Sequence, residues 1–236
     1  MRKNIYLLLG LAFLIAAIFL LNMEVTYRQG VDYKVGLVRI PLYLKITDFF
    51  DRSFNYQALV NRIVNRGDSE SMRAVKILTW VDANIKPVPG GFPVIDDHVW
   101  NIIVRGYGTA DQQSDVFATL CNYAGIEAFF SNLPAQGNPE RLITLSFLKI
   151  DNEWRVFDPA CGAYFRNRNG QLAFISELKN GDWDVFYIKP RVTVKNYQEY
   201  FSSLGDISGA KWKRSSIQSP LKRLLYQLFG RKDKGK

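Results

Sequence analysis

Residues 106–128 read GYGTADQQSDVFATLCNYAGIEA, and the order of their parts decides the fold. Gly106 and Gly108 make a turn, after which Val116, Phe117, Leu120 and Ala124 recur at helical spacing on one face. Gly125 stops that helix, and Ile126 opens a short apolar run. The result is a turn, a helix of about four turns and a strand in succession. At such a helix start, unpaired backbone N–H groups and the positive end of the dipole stabilise a thiolate or an oxyanion. The residue at this start is Ala110, which can attack nothing.

Downstream the apolar period changes to two. Residues 126–130, 142–150, 154–157 and 185–188 are expected strands, with Asp151-Asn152 as the tight turn of a hairpin. Residues 132–140 and 166–170 are expected surface loops. Upstream, Val75, Leu78, Val81 and Ile85 form the stripe of a helix over 71–85, capped by Asp68 or Ser69. The run KPVPGG at 86–91 ends it and opens a loop holding Asp96, Asp97, His98 and Trp100. Residues 31–65 carry bulky apolar residues at helical spacing and are expected to hold two helices or one bent helix. Helices first and an antiparallel sheet afterwards give an α+β domain.

The chain begins with Arg2 and Lys3 ahead of an uncharged apolar run, and residues 5–23 are about long enough to cross a bilayer as a helix. The run exceeds the usual signal-peptide core and lacks a small-x-small cleavage pattern after Leu21, so an uncleaved signal anchor is expected. The basic leader puts the amino terminus in the cytoplasm and the domain outside, although Arg28, Lys34 and Arg39 nearly balance the charge count. Four segments follow: an anchor at 1–24, a helical connector at 25–67, the α+β domain at 68–205 and a basic tail at 206–236.

The net charge of the 236 residues is +9. The last 26, from Lys211, hold nine Lys or Arg against one Asp, leaving the remainder near neutral. The charge therefore belongs to a tail and not to a domain face, which argues against nucleic-acid binding as the main activity. Ser219 caps and Pro220 starts an expected amphipathic helix in that tail, with Leu221, Leu224, Leu225 and Leu228 on one face flanked by Lys222 and Arg223. Such a helix suits anionic lipid or an acidic polymer; docking on the domain is the other reading. Two cysteines and a single histidine, Cys121, Cys161 and His98, are too few for a zinc site, and no metal or cofactor is expected. A Cys121–Cys161 disulfide and two separate buried thiols both stand, the second favoured.

The combination of Gly-x-Gly before the helix, Ala124-Gly125-Ile126 ending it and Trp154-x-x-x-Asp158-Pro159 on a hairpin resembles the transglutaminase-like superfamily, papain-like in fold, over about residues 69–174. The resemblance implies a cysteine at the helix start that attacks an amide or peptide carbonyl. A histidine at the start of the next long strand activates it, and an aspartate at the end of the following strand orients the histidine. Carried onto this chain, the nucleophile position is Ala110 and the base position is Ile143, with Leu142 and Thr144 one residue away. Only the orienting acid is present, as Asp158. A methyl group has no lone pair, and neither Ile nor Leu moves a proton.

The expectation is thus a membrane-anchored pseudoenzyme that acts as a binding or scaffold component of the cell envelope, with a glycan, a peptide or an envelope protein as partner. Asp111, Gln112, Gln113 and Trp100 are its candidate cleft residues, with helix capping by Asp111 beside solvated Gln112 and Gln113 as the alternative. The competing expectation is an active cysteine hydrolase or acyltransferase on amide bonds, with Ala110 replacing a native cysteine or with Cys161, paired with His98, as nucleophile.

Overall fold

The computed structural model describes residues 2–29, 36–92, 94, 98–190, 195–205, 207 and 214–229. Helix α1 (Arg2–Leu21) is apolar all round, and no residue of its Asn4–Asn22 stretch is buried against the protein. It is one helix long and apolar enough to span a membrane. Strands β1 (Glu24–Gln29) and β2 (Gly36–Pro41) then pair antiparallel, and α2 (Leu42–Ile63) follows directly from Pro41. The connector 25–67, expected to hold two helices or one bent helix over 31–65, therefore has a pair of antiparallel strands ahead of one helix among its described residues. Val25, Thr26 and Tyr27 face Ile40, Arg39 and Val38 across the ribbon, where β-branched and aromatic side chains fit a pleated surface better than a helix.

Helix α3 (Glu70–Asn84) starts at Ser69, whose Oγ accepts from the Met72 N–H at 3.2 Å. The short strands β3 (Lys86–Pro87) and β4 (Tyr107–Gly108) pair in parallel on either side of α4 (Val99–Arg105), and α5 (Ala110–Tyr123) is the expected central helix. Gly106 ends α4 at φ 75°, and Gly125 follows α5 at φ 83°. Asp96 and Asp97 lie outside the described residues.

Five strands then form an antiparallel meander in chain order: β5 (Glu127–Ala135), β6 (Asn138–Ile150), β7 (Glu153–Asp158), β8 (Ala163–Arg166) and β9 (Asp184–Tyr187). The β6–β7 turn is Asp151-Asn152, with φ of 52° and 64°, the pair of positive values that a two-residue hairpin requires. Residues 132–140, expected as a loop, instead extend the β5–β6 ladder, with Leu133 opposite Ile143 and Thr144 Oγ1 donating to Asn132 Oδ1 at 2.7 Å. Their polar residues belong to the exposed part of a hairpin that outruns the core.

The sheet has two covered faces, set by strand alternation. On one face Phe157 meets Phe117 of α5 with ring centroids 5.4 Å apart, and α2, α3 and α4 complete that core. On the other, Ile143, Leu145, Val156 and Phe165 pack with the short helices α6 (Ile175–Asn180) and α7 (Gln198–Phe201). There Phe165 lies edge-on to Tyr197 at 4.8 Å and to Phe201 at 4.9 Å. A 3₁₀ turn (Arg214–Ile217) and α8 (Pro220–Phe229) close the described chain. The turn is part of the domain: Arg214 Nε lies 2.7 Å from Asp115 Oδ2 in α5, and Ser215 Oγ donates to the Ala128 carbonyl at 2.9 Å.

Gly162, at φ 58°, tests how tightly α3 meets the β7–β8 turn, because a Cβ there would stand 2.8 Å from Asp82 Oδ1. Gly137, at φ 76°, has nothing within 4 Å. Gly137→Ala should cost only the left-handed penalty of about 1–2 kcal/mol. Gly162→Ala should cost at least ~1 kcal/mol more, because Asp82 must also give way. Urea unfolding of the two variants side by side measures the difference.

Candidate functional site

The first turn of α5 is held from below. Thr109 N donates to Gln112 Oε1 at 3.2 Å, and Arg105 Nη2 donates to the same oxygen at 2.9 Å. Thr109 Oγ1 also donates to Asp111 Oδ1. Gly108 has a local cause in this arrangement: a Cβ there would stand 3.0 Å from Gln112 Cβ and Oε1. Gln113 is buried and its Nε2 donates to the Ile85 carbonyl at 3.1 Å, tying α5 to the end of α3. Ala110 and Asp111 are exposed, and Trp100 packs edge-on to Tyr56, 5.5 Å away, beside the α2–α5 core.

The last turn of α3 links this helix start to the end of β7. Asp82, one turn before Ile85, is the residue that crowds Gly162, and Lys189 Nζ lies 2.6 Å from Asp82 Oδ2. The Gly162 carbonyl accepts from Ile188 N at 2.9 Å. The helix start and the 158–162 turn thus share α3 as a common wall.

Asp158 is fully buried at the end of β7. Phe157 faces α5, so Asp158 turns to the opposite side of the sheet, the side that also holds Ile143. Both of its oxygens are engaged. Oδ2 accepts from Lys195 Nζ and from the Tyr197 hydroxyl, each at 2.9 Å, and Oδ1 accepts from Cys161 N at 3.1 Å. Ile143 lies in β6 with 6% exposure, among Phe129, Leu145 and Phe165.

The electrostatics follow from this packing. Burial is the main reason that the Cys161 thiol titrates above its ordinary value; the Asp158 charge adds to the rise, and Lys195 partly opposes it. Burial also raises Tyr197, again with Asp158 adding. For Lys195 burial pulls downward, but the charge and hydrogen bond of Asp158 outweigh it and the ammonium is held above its usual range. This is an ionic cluster, open to solvent at Lys195, in which the cation keeps its proton and the thiol keeps its own. Cys121, wholly buried in α5, is pushed up much further by burial, and no disulfide joins it to Cys161.

His98 is half-buried at the start of α4, where its carbonyl accepts from Asn101 N at 2.9 Å. Among the described residues no group of three or more His, Cys, Asp or Glu side chains is placed to hold a metal ion. In α8, Lys222, Arg223 and Leu224 are exposed, as are Leu221 and Leu225; the side chain of Leu228 lies outside the described residues. Sequence reasoning did not find Lys195 or Tyr197, which sit 37 and 39 residues from the aspartate they bind, beyond any local motif.

No protein-family model and no curated protein matches the sequence. Among solved structures, the chain is similar to a candidate cysteine protease from Cytophaga hutchinsonii, with 16% identity and a TM-score of 0.40 over 61% of this chain and 51% of that one. A candidate protease from Parabacteroides distasonis gives 12% identity and a TM-score of 0.35 over 57% and 35% of the two chains. A TGase gives 11% and 0.36 over 57% and 43%. The chain spans about half or less of each. The α+β architecture stands on the chain's own strand order and register.

Raised folded-state values at Lys195 and Tyr197 place the linked stability below their unfolded values of 10.5 and 10.0. That contribution is constant at neutral pH and is lost as pH climbs through the folded values. Unfolding free energy should therefore be flat from pH 7 to about 8, begin to fall toward pH 9 as the unfolded Cys121 and Cys161 thiols ionise, and fall further above about pH 10 with Tyr197 and Lys195. Lys195→Met should unfold with about 2 kcal/mol less free energy at pH 7, since it strips a cation from a buried carboxylate at a partly exposed site. Urea titrations across the pH range check both.

Proposed function

We propose that this chain is a transglutaminase-like pseudoenzyme, tethered by α1 and serving as a binding or scaffold component of the cell envelope with its domain outside the cytoplasm. One observation carries the reading: the Asp158 carboxylate is fully buried and already accepts from Lys195, Tyr197 and the Cys161 amide, so its place in the fold is accounted for without an imidazole to orient. Ala110 at the helix start and Ile143 in an apolar cluster support it, since neither can attack or carry a proton. A domain without turnover keeps the pre-formed surfaces of its fold, and a glycan or peptide is the class of ligand such a surface would hold.

The second reading, a cysteine hydrolase or acyltransferase, draws on the position of Cys161 beside Asp158 and Lys195. Against it, a thiol raised by burial and by a neighbouring carboxylate is a poor source of thiolate, and Lys195 holds its proton too firmly to act as a base. Full-length protein in detergent, incubated with amide and peptide substrates, should show no turnover. At pH 7.5, iodoacetamide should modify Cys161 more slowly than a free peptide thiol, and Cys121 only after denaturation. Turnover that disappears in Cys161→Ser would establish the second reading instead. Ala110→Cys, alone and combined with Ile143→His, asks whether activity returns at the mapped positions.

For the membrane, α1 supplies the tether and α8 supplies an exposed apolar row beside Lys222 and Arg223. Each basic residue near an anionic surface contributes about 1 kcal/mol, a term weakened by salt. A peptide of residues 211–236 should float with anionic liposomes at low salt and much less at high salt. Absence of flotation at both would remove α8 from the membrane.

A further inference from the structure

A cavity of about 780 Å³ lies away from both Ala110 and Asp158, between the start of α3, the β6–β7 turn and the 170–174 segment. Its volume is that of a small-molecule site. Arg155 of β7 lines it at 6% exposure, with the guanidinium 3.6 Å above the Phe174 ring. Nε and Nη1 of this guanidinium are buried and have no hydrogen-bond partner.

Three carboxylates are close enough to influence Arg155, yet none pairs with it. Glu177 is committed elsewhere, accepting from Phe174 N at 2.7 Å and from Asn167 Nδ2 at 3.0 Å. Asp151 and Glu153 are exposed at the mouth. Of the other cations lining the cavity, Lys76 is held by Asp68 at 2.6 Å and Arg166 donates to the Tyr164 hydroxyl at 3.2 Å. Burial lowers the Arg155 guanidinium below its ordinary value, and the nearby acids only partly offset this. A buried cation without a partner is costly, and such a cost is retained where a ligand removes it.

We propose that this cavity binds a small organic carboxylate, with its head on Nη2, the Arg155 nitrogen that is not sealed by the protein, and an apolar body against Val75, Leu172 and Phe174. One cation without an ion-pair partner asks for one negative charge, and Asp151 and Glu153 at the mouth repel a dianion such as phosphate about twice as strongly as a monoanion. The apolar wall rewards a hydrocarbon body behind the head. The site is separate from the positions of the degenerate triad, so the amide-turnover assays do not bear on it.

N-acetyl-L-leucine, its uncharged amide and inorganic phosphate serve as probes, titrated calorimetrically into full-length protein in detergent at fixed ionic strength. The carboxylate should bind saturably at one site, and the amide and phosphate at least about tenfold more weakly. Arg155→Met should lose the carboxylate preference, because the charged partner is gone, and Ser71→Trp should block the cavity while leaving Arg155 in place. Should Arg155→Met fail to fold, Ser71→Trp decides alone. Equal binding of acid and amide, stronger binding of phosphate, no saturable binding, or affinity unchanged by Ser71→Trp would each overturn the proposal.

Discussion

The rest of the domain depends on one constraint, the burial of α5 on every side. Ten consecutive residues from Gln112 to Cys121 are buried, so the helix cannot lie on a surface and must be covered all round. The sheet takes the side bearing Phe117, α3 and α4 take others, and the 3₁₀ turn closes the last. Polar residues on a fully buried helix favour partners, and three of them reach segments outside it, whereas the Ser114 and Thr119 hydroxyls have none among the described residues. Gln112 binds Arg105 and Thr109 N, Gln113 reaches the Ile85 carbonyl, and Asp115 draws Arg214 onto the domain. The polar residues of the helix thereby choose which segments surround it.

The same constraint divides the sheet. With one face given to α5, the alternate residues of β6, β7 and β8 need their own cover, which the aromatic group of Phe165, Tyr197 and Phe201 provides. Asp158 belongs to that second layer. Its place there follows from strand parity alone, since Phe157 before it is fixed against α5. The carboxylate is then buried in an aromatic layer, where an unpaired charge would be costly, and Lys195 and the Tyr197 hydroxyl meet it.

Local chemistry made much of this legible from the sequence. The glycines at 106 and 125, the Ser69 cap, the positive-φ pair Asp151-Asn152 and the period-two strands each have a cause within a few residues, and each lies where that cause puts it. The β1–β2 ribbon was not legible, because its apolar spacing also fits a helix and only the pairing partner decides between them. The extension of β5 and β6 was missed for a related reason: polar residues such as Asn132 and Thr144 look like loop until their cross-strand bond is seen. At the site, the positions Ala110, Ile143 and Asp158 could be numbered from motif spacing, but their partners could not. Lys195 and Tyr197 come from a segment that no periodicity links to β7, and Arg155 looks like an ordinary strand cation until its lack of a partner is seen in three dimensions.

Asp158 also bears on what a lone acid at a proposed catalytic position means. A lone aspartate where a triad is expected invites the inference that some chemistry persists. Here the carboxylate has a sufficient structural reason to stay: it ties the Cys161 turn, Lys195 and Tyr197 to the end of β7. Ala110 and Ile143 carry no comparable obligation, since one is exposed at a helix start and the other is an apolar side chain in an apolar layer. Substitution at those two positions costs the fold little, whereas loss of Asp158 would leave the half-exposed Lys195 ammonium and the buried Tyr197 phenol without their acceptor. Stability alone therefore accounts for an acid at 158, and Asp158 by itself is no evidence of turnover.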